Sequence, residues 1–145
     1  MFKKILAAVD GTPGGVKVLE LAVRTADETT HVHVIFVLSL EFYAPDQASQ
    51  NASPASYVEL LKAEEVVKKA CRYIHGWNLK CTASVIPGEP ERAIGNYAHE
   101  KDCNLIIMGH HHMSSFDRLV GNSVAYELLQ SSPCPVLIAV EHHDD

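Results

Sequence analysis

The chain has 145 residues, a hydrophobic fraction of 47%, a charged fraction of 21% and a formal net charge of -6. That is the size and balance of one globular domain able to bury its own core without staples. The acidic balance, with a pI near 5.8, excludes a general binder of nucleic acid or of anionic membranes, since no basic stripe is present to displace counterions. No apolar run approaches the ~18 residues of a membrane span.

The first element, KKILAAVD (3–10), is a short and almost continuous apolar run, the pattern of a strand buried on both faces. Its apolar stretch stops at Asp10, too short for the ~7–15-residue core of a signal peptide, so the chain reads as cytoplasmic. In the following GTPGG, Thr12 is a candidate N-cap with Pro13 at the first helical position. Val16, Leu19, Ala22, Val23 and Ala26 then share one helical face. HVHVIFVLSL (31–40) is a second strand, with His31 and His33 read as surface residues rather than ligands. The polar, proline-containing segment 41–55 is the longest predicted loop, and SYVE (56–59) fits a capping box for a second helix ending near Gly76. Its stripe is Leu60, Ala63, Val67, Cys71 and Ile74.

LKCTASVI (79–86) predicts a third strand. A helix starting at Pro90 turns Ala93, Ile94, Tyr97 and Ala98 inward. NLIIMG (104–109) is a fourth strand, SVAYELLQSS (123–132) a helix and PVLIAV (135–140) a fifth strand, with EHHDD as a solvated tail. Alternation of strand and helix requires right-handed crossovers. The fold class is therefore α/β: a single doubly wound five-stranded parallel sheet with helices on both faces. Ligands of such sheets bind beyond the carboxyl ends of the strands, where strand order reverses. That directs attention to VDGT after the first strand and MGHHH after the fourth.

The chain lacks GxxxxGK[ST], GxGxxG after the first strand, GxSxG and HExxH. Cysteines 71, 81, 103 and 134 show no CxxC spacing, and their apolar neighbours suggest reduced, buried thiols. Three successive histidines (110–112) tempt a metal reading, but adjacent loop histidines diverge and three seldom meet one ion. The loop GHHHMSSFDRLVGNS (109–123) combines a glycine at a strand end with a serine at a helix start, where free N–H groups and the helix dipole favour an anion. A plain N-cap explains the serine equally well. Asp10 either faces a ligand or caps the DGTPGG turn.

ILAAVDGTPGG, VIPGEPERAIGNYAHEKDCNLIIMG and VAYELLQSSPCPVLIAV together resemble the universal stress protein family over nearly the whole chain apart from 41–55. The resemblance implies a Rossmann-like, adenine nucleotide alpha hydrolase-like domain over 1–141, a solvated tail at 142–145, and a cytoplasmic stress-response role. It also implies a homodimer joined through the last strand. The nucleotide-binding branch carries G-x2-G-x9-G-[ST] after the fourth strand. Here those positions are Gly109, His112, Asn122 and Ser123, so the spacing is kept while two glycines are replaced. Asp10, with Gly11 beside it, matches the acidic residue facing the nucleoside, and Val37 the residue whose backbone reads adenine. Met108 and Val124 match the residues flanking the loop. The implied ligand is ATP or AMP, with magnesium accompanying ATP. His112 is the kind of side chain that gains a proton beside phosphate and holds it. Asp10 is the lone carboxylate at the pocket and Arg118 the one candidate cation, so nothing beyond slow hydrolysis is indicated. A second branch of the family shares GHH, lacks the glycine pattern and is a dimeric interaction module without nucleotide. Both readings stand on sequence alone.

Overall fold

The structure is a computed structural model, and it describes residues 2–39, 54–109 and 128–140. The strands are β1 (Lys4–Val9), β2 (His31–Leu38), β3 (Lys80–Pro87), β4 (Leu105–Gly109) and β5 (Val136–Ala139). The helices are α1 (Gly14–Thr25), α2 (Pro54–His75) and α3 (Pro90–Glu100), and residues 128–131 are also helical. All strands are parallel, in the order β3-β2-β1-β4-β5. Order therefore reverses between β1 and β4, as the alternating pattern predicts.

The period of two in each strand sorts side chains into two cores. Ile5, Ala7 and Val9 of β1 join Val32, Val34 and Ile107 beneath α1 and α2, where Val18, Ala22, Val67 and Ile74 complete the packing. Leu6 and Ala8 join Ile35, Ile106 and Met108 on the other face, against Ile94, Tyr97, Ala98 and Leu128. β1 is covered on both sides, which is why it reads as an unbroken apolar run. At the amino ends of the strands, the Asn104 side-chain oxygen accepts from the backbone N–H groups of Lys3 (3.0 Å) and Lys4 (2.9 Å). Buried Thr30 donates its hydroxyl to the Phe2 carbonyl at 2.7 Å.

Five local expectations are corrected. Thr12 does not cap α1 with its side chain: Pro13 occupies the N-cap position without a side-chain cap bond, and the Thr12 hydroxyl is given to Asp10. α2 begins at Pro54, two residues before the SYVE box, because a proline's fixed φ and missing N–H suit a helix start. The predicted loop 41–55 thus loses its last residues to α2, and the remainder lies outside the described residues. Val16 is 57% exposed, because the buried face of α1 centres on Val18 and Ala22.

His33 is buried rather than on the surface. Its alternation with Ile35 turns it toward α3, where Nδ1 shares a hydrogen bond with the Tyr97 hydroxyl (3.1 Å). Its ring stacks on His31, whose Nε2 meets Thr82 Oγ1 at 2.6 Å. Finally, the four thiols are not all reduced. Cys71 of α2 and Cys81 of β3 form a disulfide, their Cα atoms 5.7 Å apart, while Cys103 and Cys134 are free.

Burial lowers the His33 pKa to about 4, helped by His31, Lys4 and Lys101 nearby. An unfolded histidine titrates near 6.5, so between these values the unfolded chain binds more protons than the folded one. The contribution of His33 to stability is therefore flat above about pH 6.5, falls as pH drops toward 4, and changes no further below that. With allowance for the half-exposed His31 alongside, the loss is on the order of 1–2 kcal/mol. Urea unfolding of wild type and His33→Gln from pH 4 to 8 checks this: the difference between the two curves carries the slope, and parallel curves contradict it.

Candidate functional site

The carboxyl ends of β1, β2 and β4 assemble the part of the site that the described residues contain. Val9 pairs with Phe36, so Asp10 lies alongside Val37. Ala7 pairs with Ile107, so Met108 lies alongside Ala8. Ala8, Val37 and Met108 all pack on the α3 face of the sheet. Met108 is fully buried there, and its side chain is part of the core. Gly109 ends β4 and pairs with Ala139 of β5. His112, Asn122, Ser123 and Val124, with the triple histidine and Arg118, lie outside the described residues.

Asp10 is half-buried at the mouth of this arrangement. Its Oδ1 accepts the Thr12 backbone N–H at 3.0 Å and the Thr12 hydroxyl at 2.5 Å. This is an Asx-type turn, in which a short carboxylate closes the backbone two residues on. The turn-capping reading of Asp10 is thus what the local geometry displays. Gly11 makes the turn feasible: its φ is +82°, and an added Cβ would meet Val66 and Phe36 only at ordinary contact, 3.5 and 3.8 Å. The cost of Gly11→Ala is therefore backbone strain rather than collision, about 1–2 kcal/mol. Thermal unfolding checks this, and an unchanged Tm contradicts the left-handed assignment.

On the opposite side of the same turn, α1 and α2 enclose an apolar groove of about 430 Å³. Gly11, Thr12 and Val16 form one wall, and Val66, Lys69 and Tyr73 the other. Gly11, Thr12 and Pro13 of the turn line this groove, which sequence patterning did not indicate. Val16, which the pattern turned inward, is exposed and lines this groove.

The whole chain's similarity to known proteins agrees with this geometry. The universal stress protein family model matches residues 1–139. The chain belongs to the universal stress protein family. Among relatives, it is 28% identical over 141 residues to universal stress protein MJ0531 of Methanocaldococcus jannaschii, covering 95% of this chain and 82% of that one. It is likewise 28% identical over 147 residues to universal stress protein YxiE of Bacillus subtilis, covering 95% and 99%. The solved structure of the protein MJ0577 superimposes with a TM-score of 0.79 at 18% identity over 99% of both chains. An Arabidopsis thaliana family member with AMP bound gives a TM-score of 0.68 at 13% identity, covering 99% and 94%. The Archaeoglobus fulgidus universal stress protein in complex with dAMP gives 0.65 at 20%, covering 95% and 97%. At these identities the structural matches establish the shared five-stranded fold. Among the described residues of this family member, no helix is long and apolar enough to cross a membrane.

Proposed function

We propose that this family member is a cytoplasmic stress-response protein that binds an adenine nucleotide, ATP or AMP, at the carboxyl edge of β1, β2 and β4. One observation carries the reading: strand order reverses between β1 and β4, and Asp10 directly follows β1 at that reversal. A crevice there is where doubly wound sheets hold nucleotides. The ligands of the Arabidopsis and Archaeoglobus neighbours, AMP and dAMP, share adenine and a 5′-phosphate, and supply the chemical class.

In this reading Asp10 accepts from the ribose and the Val37 backbone meets the adenine edge, with Gly11 giving the approach. Gly109 and the N–H groups around Asn122, Ser123 and Val124 hold the phosphates, and the His112 imidazole takes the place of a glycine as a cationic partner. Magnesium accompanies ATP. One domain over 1–141 pairs with a second copy along β5, an edge strand of the sheet that pairing would cover.

Nucleotide extracted from freshly purified protein and separated by chromatography tests the reading. Adenine nucleotide in the extract supports it. A nucleotide-free protein whose Tm is unmoved by millimolar AMP or ATP leaves the dimeric interaction module instead. Light scattering should return twice the 15.9 kDa chain mass, and a monomer at micromolar concentration contradicts pairing along β5.

A further inference from the structure

The Cys71–Cys81 bridge has no part in the nucleotide reading, and a chain of this size does not need it as a staple. It ties the last turns of α2 to β3, and β3 is an edge strand of the sheet. The two sulfurs differ in access: Cys71 is 7% exposed, whereas Cys81 is half-buried. The other two thiols are poor competitors. Burial pushes Cys103 up to about 11 and raises Cys134 as well, so both stay protonated and unreactive near neutrality.

We propose that Cys71 and Cys81 are a reversible redox modification site, a dithiol/disulfide couple that exchanges with low-molecular-weight thiols and sets how firmly α2 is held against the sheet. A thiolate of the small thiol attacks Cys81 Sγ, the accessible sulfur. The Cys71–Cys81 bond breaks, Cys71 leaves as a thiolate and takes a proton, and Cys81 is held as a mixed disulfide. A second small thiol attacks that disulfide, releasing Cys81 as a thiol and the small molecule as its own disulfide. Two electrons pass from two small thiols to the bridge, and the small disulfide drives the reverse. In a reducing compartment such a pair is a sensor rather than a staple.

The consequence falls on α2. The bridge lies within one to two turns of Val66, Lys69 and Tyr73, which wall the groove beside the Asp10–Thr12 turn. Opening it frees that wall from its covalent tie to β3.

The test uses the full chain equilibrated in buffers of graded reduced and oxidised glutathione, then denatured in excess maleimide. Two of the four cysteines should be modified at the oxidising end and all four at the reducing end, with peptide mapping assigning the difference to Cys71 and Cys81. Four modified thiols at every ratio, a bridge that persists through the reducing end, or mapping to Cys103 and Cys134 overturns the proposal. Hydrogen exchange across residues 66–75 should quicken several-fold on reduction, and equal exchange in both forms removes the coupling to α2. The Cys71→Ser/Cys81→Ser variant should melt with reduced wild type, about 5–9 °C below the oxidised form, and a variant melting with the oxidised form contradicts the bridge. Should the variant not fold, thiol counting on wild type decides alone. None of these readouts depends on nucleotide.

Discussion

If the proposed nucleotide site is correct, Asp10→Ala lowers the affinity for AMP by about 10- to 100-fold, the loss expected when a half-buried carboxylate that would accept from a ligand hydroxyl is removed. The same change also removes the acceptor for the Thr12 N–H and hydroxyl. Stability therefore falls by about 1 kcal/mol as the turn after β1 loosens. The two effects separate in Asp10→Asn, which keeps an oxygen for Thr12 and gives up only the charge. Its stability should stay near wild type, with affinity between those of wild type and the alanine variant. Titration calorimetry with AMP and urea unfolding read the two effects independently. Full affinity in Asp10→Ala would confine this residue to the turn.

Met108→Ala carries the larger cost in stability, about 2–5 kcal/mol. Met108 is completely buried in the core between the sheet and α3, where truncation leaves a cavity that close-packed neighbours fill only in part. Met108→Leu nearly conserves volume and should cost less than about 1.5 kcal/mol. If Met108 supports the pocket only by packing, the leucine variant binds AMP within about threefold of wild type. A leucine variant that folds normally and loses binding would show that the side chain itself meets the ligand. Urea unfolding and AMP titration of both variants decide between these outcomes.

Much of this molecule is legible in its sequence because the dominant constraint is local and periodic. Strands such as KILAAV announce burial on both faces, and alternation with helices leaves few topologies. The proposed position of the site, at the ends of β1 and β4, is drawn from that connectivity. Departures occur where a residue's fate depends on a partner remote in sequence. Cys71 sits on an inward stripe of α2 and Cys81 on the same face of β3 as Ala83 and Val85, but their meeting depends on where the helix crosses the strand. His33 is the opposite case, because the signal was present. A period of two groups it with Ile35 and Val37, and Ile35 is fully buried, so a histidine in that register must find a partner, here Tyr97. Val16 shows the limit of a helical stripe: the face that packs is narrower than the face that is apolar, and the surplus side chain borders a groove. For the phosphate side, Gly109, His112, Asn122 and Ser123 rest on the spacing of the loop and its family pattern, since the residues after Gly109 lie outside those described.

The central claim is that the crevice between β1 and β4 holds an adenine nucleotide despite His112 and Asn122 in its loop. Isothermal titration of nucleotide-stripped wild type and Ser123→Ala with ATP tests it most directly. Saturable heat with one nucleotide per chain for wild type, and affinity about tenfold weaker for Ser123→Ala, is the predicted result. No heat from either protein up to millimolar ATP would contradict it.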